Sequence, residues 1–229
     1  MKLGSTTNEP ILKTEDLKTY YFIAEGMVRA VDKVNLEVNE QEALGIVGES
    51  GCGKSTVAHS ILRLVKEPGR IVGGKILFEG QDLLRTSEAE IRKIRGSRIA
   101  MIFQNPTSSL NPVFTVGSQV GEAIKLHQNV QKHVLKEKIC DILGKVGIPS
   151  PEERMKEYPH EYSGGMCQRA MIAMALSSRP RLLIADEPTS NLDVTISAQI
   201  LEVIREMQKA IGTAMLLITH NLGIVAENC

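Results

Sequence analysis

The segment Gly48–Ser55, GESGCGKS, stands between an unbroken apolar run, Ala43–Val47, and a second apolar stretch over Val57–Val65. A buried strand that breaks into glycines, a lysine and a serine and resumes as an apolar helix commits the chain to an α/β core. Gly48, Gly51 and Gly53 let the backbone curl so that successive N–H groups converge on one anion. Lys54 adds a point charge, Ser55 a hydroxyl suited to Mg²⁺, and the helix that starts here its positive end. The segment reads as a phosphate cradle, with Glu49, Ser50, Cys52 and Thr56 as its remaining members.

Composition narrows the field further. Lys+Arg and Asp+Glu balance at 27 each, so no net field draws the chain to nucleic acid or an anionic membrane, and nucleic-acid binding is disfavoured as the main role. No apolar stretch reaches membrane-spanning length, and MKLGSTTNEP lacks the apolar core of a secretion signal, which predicts a cytosolic protein. The four cysteines, at 52, 140, 167 and 229, have no zinc-site spacing and read as free thiols. Cys52 stands out beside Lys54, where a lowered thiol pKa and sensitivity to alkylation are expected.

Along the chain, Ile11–Leu17, Tyr20–Ile23 and Val28–Val38 alternate as strands of an antiparallel layer. A strand at Lys75–Phe78, a turn at Gly80–Asp82 and a charged helix over Ser87–Arg95 lead to the buried strand Ile99–Phe103, which Gln104 ends. Residues Asn105–Tyr162 change to proline-rich turns and helical patterns at Val116–Leu126 and Val134–Val146, as in an inserted helical subdomain. Then follow a helix over Gly164–Leu176, a strand at Arg181–Ala185, a helix over Ser197–Ile211 and a strand at Ala214–Thr219. Short apolar strands alternating with helices predict a mostly parallel sheet covered on both faces.

In LLIADEP (Leu182–Pro188) an apolar strand delivers two carboxylates to its carboxyl end, where open α/β sheets place their ligands. Asp186 is suited to hold Mg²⁺, and Glu187 to orient and deprotonate a water attacking a γ-phosphate. His220, after the next strand, can bond that phosphate. Ser163-Gly164-Gly165 opens a helix 109 residues beyond Lys54 and offers a second anion site. Two phosphate sites but one Mg²⁺ apparatus suggest a dimer.

Together these segments resemble the nucleotide-binding subunit of ATP-binding cassette transporters, over nearly the whole chain. The resemblance implies an α/β P-loop NTPase core with a mostly parallel sheet, an N-terminal antiparallel β layer and an inserted helical subdomain. Residues 1–104 and 180–229 would form the catalytic core, and 105–179, with the signature, the subdomain. It assigns Gly48–Ser55 to the Walker A loop, Gln104 to the Q-loop and Mg²⁺, Ser163–Gln168 to the signature, Asp186 and Glu187 to Walker B, Asp193 to the D-loop and His220 to the switch. Catalysis then falls to Lys54, Gln104, Glu187 and His220. The cofactors implied are ATP and Mg²⁺, with adenine stacked on Tyr21 or, second, Tyr20. Implied partners are a second ATPase subunit, identical or not, meeting this one head to tail, two transmembrane permease subunits at the cytoplasmic face of the membrane and, indirectly, an extracytoplasmic solute-binding protein.

The wording GESGCGKS, FQNPTSSLNP, YPHEYSGGMCQR and ADEPTSNLDVTISAQI is similar to the subfamily that imports dipeptides, oligopeptides or nickel. Alternatives are a cassette protein of DNA repair, chromosome maintenance or ribosome function, which the lack of coiled-coil heptads, a tandem cassette and basic excess argues against, and an inactive nucleotide-binding module. Cys167 stands where relatives are commonly basic, and Asn221 where aspartate is common. Relatives also continue past Glu227, with further core strands and an extension able to carry an iron–sulfur site. The expectation is a C-terminally truncated chain with exposed sheet edges and reduced stability.

Overall fold

The computed structural model describes residues 9–128, 130–190 and 192–229, without the side chains of residues 107 and 108. The leader reading of MKLGSTTNEP falls largely on Met1–Asn8, outside the described residues.

The chain opens with two long strands, Leu12–Ile23 (β1) and Gly26–Val38 (β2), followed by Ala43–Val47 (β3) and the helix Lys54–Ile61 (α1). Gly69–Phe78 (β4), Gln81–Asp82 (β5), Glu88–Ile94 (α2) and Ile99–Ile102 (β6) come next. The helices Pro106–Ser109 (α3), Val116–His127 (α4), Lys132–Lys145 (α5), Pro151–Arg154 (α6) and Gly164–Ser177 (α7) follow, then Leu182–Asp186 (β7), Val194–Ile211 (α8), Ala214–Thr219 (β8) and Leu222–Asn228 (α9).

Strands that are apolar at every position are buried on both faces and pair in parallel. β6 is of this kind throughout and β7 and β8 in all but their last residues, Asp186 and Thr219; with β3 they form a parallel sheet of order β3-β8-β7-β6. Alternating strands make the other sheet, antiparallel, of order β2-β1-β4-β5. The parallel sheet divides the core. Ala100, Ile102, Leu183, Ala185, Met215 and Leu217 face the helices α4, α5 and α7. Ile99, Met101, Leu182, Ile184, Leu216 and Ile218 face α1, α2 and the antiparallel sheet. The helical stretch therefore shares one continuous core with the sheet face it covers.

Four local expectations are corrected. The first two predicted strands are one strand, β1, whose bulges near Leu17 and Thr19 absorb the break in alternation. β4 starts at Gly69, because pairing with β1 extends through Tyr20↔Arg70 and Tyr21↔Gly69. The helix predicted to reach Val65 stops at Ile61, where Arg63 turns left-handed (φ 53°) and Leu64 N–H bonds back to His59 O at 2.7 Å. β3, read as buried, is only half-buried, because it is the outer strand beyond β8. Helix α9, which packs beside it, has no signal in the sequence reading.

The four cysteines are free. Among the described residues no helix is long and apolar enough to cross a membrane.

Candidate functional site

The carboxyl ends of β3, β7 and β8 converge on one side of the sheet, and the residues that follow them make the site. After β3 the chain turns through Gly51 (φ 83°) and Gly53 (φ 98°) into α1. A Cβ at Gly53 would collide with the Ala30 carbonyl oxygen of β2, so the antiparallel layer presses directly on the loop. Lys54 is 7 % exposed. Its Nζ donates to the carbonyl oxygens of Gly48 and Glu49, 2.7 Å each, and lies 3.8 Å from Cys52 Sγ.

The two carboxylates at the end of β7 stand beside it. Asp186 is 3 % exposed, and burial raises its carboxyl above the ordinary range, partly offset by the Ser55 hydroxyl, by His59 and by Lys54. Ser55 Oγ donates to Asp186 Oδ1 at 2.9 Å. A desolvated carboxylate next to a hydroxyl is a hard-oxygen pair that a cation would stabilise. No cluster of three or more His, Cys, Asp and Glu residues able to hold a metal occurs among the described residues. The oxygen donors of Asp186 and Ser55 suit Mg²⁺, which takes a few protein oxygens together with phosphate and water.

Glu187 adopts φ 45°, a left-handed conformation that costs a non-glycine residue energy. Its N–H donates to Ile218 O of β8 at 2.9 Å. Its two carboxylate oxygens have different neighbours: Gln104 Nε2 donates to Oε2 at 3.0 Å, and His220 Nδ1 lies 3.5 Å from Oε1. Ser190, unremarked in the sequence, joins the same pair through the backbone. Its Oγ lies 3.1 Å from Gln104 O and 2.9 Å from Glu187 O. The clue was its place three residues after Glu187, where a serine can close a turn.

The loop, Gln104 and Glu187 share a cavity of about 600 Å³ with Tyr21, Ile23, Val28, Ala30 and Pro68. One end is polar and the other apolar. Tyr21 pairs with Gly69, where a Cβ would approach the ring to 2.7 Å. Tyr20 instead bonds Asp32 Oδ1 at 2.8 Å, with the Arg29 guanidinium 5.8 Å from its ring centre. Of the two candidates the structure puts Tyr21 on the cavity.

The remaining predicted residues do not line it. Ser163 and Gly164 are exposed at the start of α7, where Ser163 Oγ caps the helix by accepting from Met166 N–H at 3.3 Å. Gly165 packs against Ile196 of α8. Gln168 was expected to touch ligand, but it is 2 % exposed in the core, because α7 turns this position inward, and its Nε2 has no partner among the described residues. Asp193 is exposed and caps α8, its Oδ1 accepting from Ile196 N–H at 2.9 Å. Asn221 likewise caps α9, and Cys167 is buried with Sγ 3.5 Å from Pro159 O.

A phosphate cradle, a buried carboxylate–hydroxyl pair and a second carboxylate bridged to a glutamine and a histidine are the parts of a nucleoside triphosphate hydrolase. The family profile described as ABC transporter matches residues 31–190. The chain belongs to this family. It is 54 % identical over 220 residues to the Probable peptide ABC transporter ATP-binding protein y4tR of Sinorhizobium fredii, and 50 % identical over 217 residues to the Dipeptide transport ATP-binding protein DppD of Escherichia coli. These alignments cover 96 % and 95 % of the chain, which spans 66 % of the length of each relative. Among solved structures, the dimeric bacterial ABC transporter cassette MJ0796 superposes with a TM-score of 0.84 at 25 % identity, over 95 % of this chain and 91 % of that one. A post-hydrolysis dimer of the same cassette, bound to ADP and Pi, superposes at 0.83 and 25 % identity over 93 % and 89 %. The ABC architecture of a parallel sheet flanked by an antiparallel layer and helices is thus this chain's own.

Proposed function

We propose that this chain is the ATP-binding and ATP-hydrolysing subunit that powers an importer of dipeptides or oligopeptides, through ATP-driven head-to-tail dimerisation. The observation that carries the reading is the carboxylate of Glu187, bridged to Gln104 and His220 beside the Lys54 loop. The peptide-transport names of the similar proteins support the substrate class.

ATP fits the cavity with its base against Tyr21 and its phosphates in the loop. Lys54 leaves the carbonyls of Gly48 and Glu49 and turns to the β- and γ-phosphates. Ser55, Asp186 and Gln104 would hold Mg²⁺, which would supply charge neutralisation on the phosphate oxygens. Glu187 takes a proton from the attacking water, and His220 holds the γ-phosphate in line. The N–H groups of the loop hold the phosphates in the ground state and the transition state alike.

Ser163, Gly164 and Gly165 lie outside this cavity at the start of α7, the first two exposed and Gly165 half-buried. In a head-to-tail pair the partner's copies of these residues close the γ-phosphate side, and Asp193 lies in the same contact. The permease subunits dock at a mostly apolar groove of about 250 Å³ between β6, α4 and α7, lined by Leu62, Met101, Phe103, His127, Met171 and Met174. That docking places the chain at the cytoplasmic face of the membrane, with a solute-binding protein outside acting through the permeases.

Light scattering of Glu187→Gln protein tests the reading. ATP with Mg²⁺ is expected to shift it from monomer to dimer, while turnover falls about a hundredfold or more, as for loss of a general base. A variant that binds ATP but stays monomeric refutes the dimer mechanism, and undiminished turnover refutes the role of Glu187.

A further inference from the structure

The helix that carries the phosphate loop is short, Lys54–Ile61, and its far end is held by a side chain from elsewhere in the chain. Beyond Ile61 the backbone departs from the helix at Leu62 and the left-handed Arg63. Arg95, the residue after α2, reaches both. Its Nε donates to Leu62 O at 2.8 Å and its Nη2 to Arg63 O at 3.0 Å. Its third arm, Nη1, donates to Glu88 Oε1 at 2.8 Å. Arg63 is pinned in turn, with Nη1 donating to Leu83 O at 3.1 Å and Thr86 O at 2.5 Å, and Nη2 3.5 Å from Glu88.

A planar guanidinium can hold two carbonyls and a carboxylate at once, and its charge at the end of a helix matches the helix dipole. The helix is about 12 Å long at 1.5 Å per residue. A tilt or slide at Leu62 therefore reaches Lys54 and Ser55 with little flexible chain between to absorb it. At the other end the Ala30 carbonyl allows the loop no retreat at Gly53.

We infer that Arg95 is a positioning residue for the phosphate loop: by fixing the far end of α1, it aims the loop's N–H groups and Lys54 at the phosphates and so sets nucleotide affinity. The inference rests on the ATP reading above. It separates two features of the network, because the carbonyl bonds aim the helix whereas the Glu88 pair lies at the surface, where ion pairs contribute little.

The test measures ATP and Mg²⁺ binding by calorimetry in Glu187→Gln protein, whose slowed turnover leaves ATP intact through the titration. Adding Arg95→Gln is expected to weaken ATP binding about fivefold, part of the effect of losing a charge-assisted helix-end contact. Arg95→Lys keeps the charge without the fork and is expected to weaken binding as well, and it serves if Arg95→Gln fails to fold. Glu88→Gln is expected to leave affinity unchanged. With Glu187 intact, kcat at saturating ATP is expected to stay within about twofold of the parent, since ground and transition states lose the same binding. Parental affinity in a folded Arg95 variant, or equal weakening by Glu88→Gln, overturns the inference and leaves the ATP reading standing. A parent that does not bind ATP at all overturns both.

Discussion

Glu187 sits in a left-handed conformation with a neighbour at each carboxylate oxygen, and Ser190 ties its backbone to that of Gln104. Gln104 and Glu187 are joined twice, once through their side chains and once through the serine hydroxyl between their carbonyl oxygens. Ser190→Ala removes the second link. Loss of one hydrogen bond of roughly 1 kcal/mol predicts a kcat about fivefold lower, with the ATP KM unchanged and Ser190→Thr restoring the rate. Steady-state kinetics of the two variants decide it, and a KM change at constant kcat would assign Ser190 to binding instead. Residues with motif signatures, from Gly48 to Ser55 and at Asp186 and Glu187, were legible because their chemistry demands their spacing. Ser190, His59 and the inward turn of Gln168 were not, because each depends on which way a side chain points in three dimensions.

At the scale of the element, several residues expected to serve ligand chemistry also start helices. Ser163 caps α7 and Asp193 caps α8. A cap satisfies an N–H group that a helix cannot pair by itself, and replacing Asp with Ala at such a position costs about 1 kcal/mol. Asp193→Ala is therefore expected to lower the Tm by about 2–4 °C in a protein of this size, while Asp193→Asn, an equally good cap, leaves it nearly unchanged. Thermal unfolding of the two variants checks this, and equal losses would show that the charge matters more than the cap. The Ser163 cap coincides with the predicted start of α7, whereas α8, predicted from Ser197, begins at Val194 directly behind its Asp193 cap. The end of α1 was not legible in the sequence, because the apolar run continues past Ile61 and the stop comes from Arg63 turning left-handed in reach of Arg95.

At the scale of the whole molecule, a single parallel sheet joins two cores, one beneath the antiparallel layer and one beneath the helices. His127, at the end of α4, lies in the groove where the helical side meets β6, against Gly96. Burial holds its pKa below the usual histidine range. The unfolded chain then binds the proton more readily, so stability is lost as pH falls through about 6.5, the unfolded value, towards the lower folded one. Urea unfolding at pH 7.5 and 5.5 should show a smaller pH loss in His127→Gln than in the parent, and identical losses would remove His127 as a cause. The sequence by itself determined the α/β class, the alternation of apolar strands and helices in the core and the phosphate-loop motif, because apolar periodicity and glycine-lysine spacing are local properties of the chain. Tertiary structure alone decided that Tyr21 rather than Tyr20 lines the cavity, that β3 is an outer strand, that Gln168 is buried and that Arg95 closes the phosphate-loop helix. Each of these depends on strand register or on contacts between residues far apart in sequence, and no local pattern encodes such a distance.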